Sequence, residues 1–70
     1  MPIYLASKLK YMTITRITGN DKIKGHLTNL GFIVGESIML INTVDDNVIV
    51  KVKGVSLGIS KELAKRVLVA

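Results

Sequence analysis

Asp21-Lys22-Ile23-Lys24-Gly25-His26-Leu27-Thr28-Asn29-Leu30-Gly31-Phe32-Ile33-Val34-Gly35 is the stretch that decides the architecture of this 70-residue chain. Within Asp21 to Leu30, the residues Ile23, Leu27 and Leu30 fall at i, i+4 and i+7, which puts three aliphatic side chains on one face of a helix. Gly31 ends it. A glycine just past a helix adopts positive φ without a Cβ clash, so its amide and the next one turn back to the unpaired carbonyls. Leu27 and Phe32 are then expected to touch. Asn20 is a good N-cap, and Asp21 suits the positive end of the helix dipole.

Outward from this helix the chain reads as strand. Leu9 to Ile17 favours extended structure, and Gly19-Asn20 stops it. Ile14 and Ile17 cannot share a face in a strict two-residue period, so a bulge is expected near Thr15 or Arg16. Ser37 to Val44 forms a second strand with Ile38 and Leu40 inward, followed by a polar turn at Asp45-Asp46-Asn47. Val48 to Lys53 gives the cleanest alternation, with Val48, Val50 and Val52 inward and Ile49, Lys51 and Lys53 on the outer face. Gly54 and Gly58 bracket Val55 to Leu57, which reads as a strand that turns sharply. Ser60 caps one helical turn with Glu62 at its start and Lys65 and Arg66 at its end, Ala64 packs closely, and Val67 to Val69 closes the chain. The expected fold class is all-β with a short helix, a small SH3-like, five-stranded, partly open barrel.

Size and composition narrow what such a barrel can do. Residues 1–70 are expected to form a single domain, and a chain this short buries only about 60% of its unfolded surface, so it needs a dense core. It has one: 49% of its residues are hydrophobic and it contains one proline, a composition unlike that of disordered chains. Cysteine is absent, which excludes disulfides and thiolate metal sites and suits a reducing cytosol. Neither a bilayer-spanning run nor a signal peptide is recognisable, so a cytoplasmic location is expected. Ten Lys and Arg against five Asp and Glu give a net charge of +5, which favours an acidic partner: nucleic acid, anionic headgroups or an acidic protein surface. The cations are scattered, so charge alone names no target.

The order and spacing of these features resemble the FeoA family, the small cytosolic component of bacterial ferrous iron uptake. The resemblance is carried by the apolar first strand ending at Ile17, the helix leading into Leu30-Gly31 with a second glycine at Gly35, Ile38 and Leu40, Val50-Lys51-Val52-Lys53-Gly54, and Ala64 before Val67 and Val69. It spans nearly the whole chain. It implies an SH3-like fold, which also occurs as the C-terminal domain of iron-dependent repressors of the DtxR type, and it implies work on FeoB, a membrane permease with a cytosolic G domain. The chain departs from the family at Tyr11-Met12, where a glycine often precedes the first strand. It departs again at Val34, where proline is common, and at His26, where a basic residue is common.

No constellation points to catalysis. A nucleotide site needs small residues where backbone meets phosphate, and Gly31-Phe32-Ile33-Val34-Gly35 is bulky, so it reads as cap and turn. Ser7, Ser37, Ser56 and Ser60 lack a base, and one histidine supplies no triad. A ferrous site usually takes two His and one carboxylate, which one chain cannot assemble. Asp45-Asp46 reads as a solvated acidic turn, and direct Fe2+ contact is confined to weak binding or to a site shared across an oligomer. His26 belongs at the edge of the apolar stripe, as a half-exposed surface residue.

That leaves the surface. Lys22, Lys24 and His26 on the helix flank and Lys51 and Lys53 on a strand are the weak candidates for partner binding, against the plainer reading of solvated charge. The expected function is a non-enzymatic accessory protein docking on FeoB, and an exposed strand edge also permits self-association. The alternative is a basic small-barrel nucleic-acid-binding or DtxR-like regulatory module. Only Tyr4, Tyr11 and Phe32 are available for base stacking and Phe32 is assigned to the helix cap, so nucleic acid is the less favoured partner.

Overall fold

In a computed structural model describing all 70 residues, the strands β1 (Tyr11–Ile17), β2 (Ser37–Val44), β3 (Asn47–Val52), β4 (Val55–Ser60) and β5 (Val67–Val69) form one sheet in the order β4-β3-β2-β1-β5. All pairings are antiparallel. Helix α1 (Asp21–Asn29) follows β1, and the single turn α2 (Lys61–Ala64) connects the two outermost strands. β4 and β5 do not pair with each other, so the barrel is partly open.

Helix α1 starts and stops where its sequence dictates. The Asn20 side chain accepts from the Ile23 amide at 2.9 Å. At the other end Gly31 has φ +104, and the amides of Gly31 and Phe32 donate to the carbonyls of Thr28 and Leu27, each at 3.0 Å. This is the paired hydrogen-bond pattern of a Schellman cap. Leu27 and Phe32 are both fully buried in one core with the inward residues of the sheet. Leu30 departs from the expected stripe, since it is 38% exposed and Ile23 is only half-buried. The chain reverses at Gly31, and Phe32 fills the core beside Leu27 in its place.

The strands follow their alternation with four corrections. β1 starts at Tyr11, because Leu9 takes φ +61 and redirects the chain. The β1–β5 register shifts between Ile14 and Arg16, which lets Ile14 be buried and Ile17 half-buried on one bulged strand. A second shift, between Leu40 and Asn42, has no counterpart in the sequence reading. Lys53 lies outside β3. It and Gly54 form the two-residue turn between Val52 and Val55, at φ +52 and +76, so Lys53 does not share a strand face with Ile49 and Lys51. β4 also runs straight through Gly58 to Ser60. Gly58 stands opposite Ile49, whose Cδ1 would lie 3.1 Å from an added Cβ, so the glycine makes room for a cross-strand side chain and marks no turn.

The ends of the sheet are finished differently. A short 3-10 turn at Ile3–Leu5 buries Ile3 completely, a contribution that three residues without periodicity do not announce. Pro2 bridges to Leu68, and the Val69 amide donates to the Met1 carbonyl at 2.7 Å, so main chain covers the outer side of β5. Ser60 caps α2 by accepting from the Leu63 amide at 3.2 Å.

Candidate docking surface

All fourteen buried residues are apolar, and no polar or charged side chain is buried. The interior is therefore a packed apolar core. Every titratable side chain stands at the surface, and one exposed ion pair, Arg66 to Glu62 at 3.6 Å, is formed among them. Such a pair contributes about 0 to 1 kcal/mol.

The sequence-nominated cations divide between two places. Lys22, Lys24 and His26 are all exposed on α1. At about 100° per residue, Lys22 and His26 share one side of the helix while Lys24 points to the other, so these three do not make one flank. Lys51 is half-buried in β3, in a row that runs across the outer face of the sheet from Tyr11 through Met39 and Lys51 to Ser56. Lys53 sits in the neighbouring turn beside the end of α1, where a Cβ on Gly31 would lie 3.9 Å from its Cδ. The fold thus sets Lys53 close to the helix C-terminus, while Lys22 lies in the first turn.

Apolar side chains missed by the inward–outward reading add to this surface. Leu30, Ile33 and Val34 are exposed after α1, and Val55 is 58% exposed just past the Lys53-Gly54 turn. Their exposure depends on where α1 ends and on β4 being outermost, which no local pattern reveals.

The donor set for a metal is sparse. No three His, Cys, Asp or Glu side chains come together. His26 and the Asp45-Asp46 turn are exposed on separate elements, so the residues present do not fit a two-His, one-carboxylate iron centre within one chain. The open depression beside α2 is lined by Asp46, Ser60, Lys61, Glu62 and Lys65, without hydrophobic residues. Its mixed charges suit neither an isolated cation nor an anion. No helix is long and apolar enough to cross a membrane.

Residues 1–70 match the FeoA domain along their whole length. The chain belongs to the FeoA family. Its barrel superimposes on the crystal structure of an iron uptake regulatory protein, FeoA, with a TM-score of 0.89 at 26% identity, covering 99% of this chain and 93% of that one. Stenotrophomonas maltophilia FeoA, solved in complex with zinc, gives a TM-score of 0.84 at 22% identity and covers 100% and 89% of the two chains. That protein is described as a prokaryotic SH3 domain protein and a candidate ferrous iron transport activating factor. The same barrel occurs in a manganese-dependent transcriptional repressor, with a TM-score of 0.90 at 11% identity, where the match covers 100% of this chain and 35% of the repressor. That last likeness is one of fold. No curated protein has a matching sequence. The FeoA family is tied to ferrous iron transport, and this chain has its five-stranded SH3-like barrel.

Proposed function

We propose that this FeoA-family chain is a non-enzymatic, cytoplasmic accessory protein of ferrous iron uptake that acts by docking on the cytosolic part of a FeoB permease. The observation that carries the reading is the wholly apolar interior, which leaves only the outer surface available for function. Iron in this account is the cargo of the permease. Docking is supported by the exposed apolar residues around the end of α1 and by a net charge of +5, which attracts an acidic surface. GTP hydrolysis belongs to the partner.

Co-elution is the first test. The chain mixed with the cytosolic domain of FeoB should travel with it through a sizing column, and separate elution with both that domain and the full-length permease would contradict the reading. The repressor likeness supports a regulatory second reading, which needs another chain to read DNA because no helix-turn-helix is present here.

A further inference from the structure

The two outer strands of the sheet are treated unequally. The free side of β5 is covered by Met1 and Pro2, whereas nothing pairs with the free side of β4. Natural proteins protect such edges with charge, proline or a bulge. β4 has none of these: Val55-Ser56-Leu57-Gly58-Ile59-Ser60 is uncharged, lacks proline, and pairs with β3 in unbroken register.

Its backbone polarity can be assigned. The two-residue turn makes Val52 and Val55 a hydrogen-bonded pair, and alternation then points Leu57 and Ile59 at β3 as well. The next amide of the same parity, Lys61, does donate back to the Asp46 carbonyl at 2.7 Å. Ser56 and Gly58 therefore direct their N–H and C=O groups away from the sheet, as does the N–H of Ser60, whose carbonyl lies at the start of α2. Neither Ser56 nor Gly58 takes part in a turn, loop or cap hydrogen bond of the backbone.

We propose that the free edge of β4 accepts an extended segment of the partner protein in which apolar and acidic residues alternate. The proposal rests on the docking reading above and names its surface. Alternate residues of an added strand face opposite sides of the sheet. On the inner side they would cover Val55, which is 58% exposed, and half-buried Leu57. On the outer side they would lie beyond Ser56, whose small side chain stands opposite Lys51 on β3, and beside Ile49, which covers Gly58. Strands about 4.8 Å apart put the added one about 10 Å from β3, a gap that a Lys and a Glu side chain close together. Lys53 in the turn provides a second cation at the end of the same edge.

A second copy of the chain is a poorer occupant. Each copy carries +5, so association brings like charges together. Two six-residue edges alone fall short of the roughly 1,000 Å² expected of a stable interface. A partner's strand avoids the repulsion and is anchored by the rest of that partner.

The test tracks the chain's amides by hydrogen exchange and chemical shift during titration with a blocked nine-residue peptide alternating Glu and Val, and separately with the FeoB cytosolic domain. Protection at Ser56, Gly58 and Ser60 with both probes is the expected result. Ser56→Pro removes an outward N–H that the β3 ladder does not use, and should abolish peptide binding in a folded chain. Lys51→Glu keeps the edge intact and should weaken the Glu–Val peptide at least tenfold while a Lys–Val peptide gains. Equal binding of both peptides by wild type and Lys51→Glu would overturn the assignment. So would permease-domain shifts confined to α1, a result that leaves docking itself intact. Absence of any permease binding, with the peptide still protecting β4, would reject the docking reading alone. Peptide-independent protection of the same amides that rises with protein concentration would name a second copy as occupant and overturn the proposal.

Discussion

The backbone amide of Phe32 lies 3.0 Å from the carbonyl oxygen of Leu27, so the first residue beyond the helix-ending glycine is tied to the one fully buried residue of α1. This bond fixes where the helix stops and brings the Phe32 ring into the core. It depends on Gly31 at φ +104. Replacement by alanine has space for its Cβ, with Val52 Cγ1 3.8 Å away, so the loss is one of backbone strain. Gly31→Ala should cost about 1 to 3 kcal/mol. In urea unfolding the midpoint should fall with the slope unchanged.

Lys53 presents the opposite case. A long side chain occupies the left-handed region at φ +52 in a turn whose first central position favours asparagine or glycine. Lys53→Asn should raise stability by up to about 1 kcal/mol, read as a higher thermal midpoint.

The two helix caps give a local comparison. Asn20→Ala removes the acceptor for the Ile23 amide, and Ser60→Ala removes the acceptor for the Leu63 amide. Each should cost about 1 kcal/mol. Faster amide exchange should be confined to the first turn of the helix concerned.

Much of this architecture is legible in the residues because local and long-range signals agree. Asn20, Gly31 and Phe32 mark both ends of α1, Ser60 marks α2, and the clash of period between Ile14 and Ile17 announces a bulge that the β1–β5 register shows. The misread positions are those where the partner strand decides. Lys53 continues the alternation of β3 in sequence, but Val52 and Val55 pair across it. Gly58 resembles a turn residue until Ile49 is seen opposite it. Leu30 completes a helical stripe, yet the last turn of α1 lies where Phe32 returns to the core. The open edge of β4 comes from strand order, a property of the whole chain, so it could not be read from its six residues.

Nucleic acid remains a separable rival because phosphate contacts have a characteristic salt dependence. Titration of the chain with single- and double-stranded oligonucleotides at several salt concentrations should show weak association without a steep slope. The surface offers Tyr11, 55% exposed, as its most accessible aromatic, while Phe32 is buried. A steep slope with tight binding would favour the regulatory reading.

The central claim is that this barrel works by surface contact with the permease, and a titration of the isotope-labelled chain with the cytosolic domain of FeoB at low salt tests it most directly. Saturable amide shifts in one contiguous surface region are predicted, with affinity falling about tenfold, or 1.4 kcal/mol, when Lys51 and Lys53 are both reversed to Glu. Unchanged affinity in that double variant would contradict the role given to these lysines, and the absence of any shift with wild type would contradict docking itself.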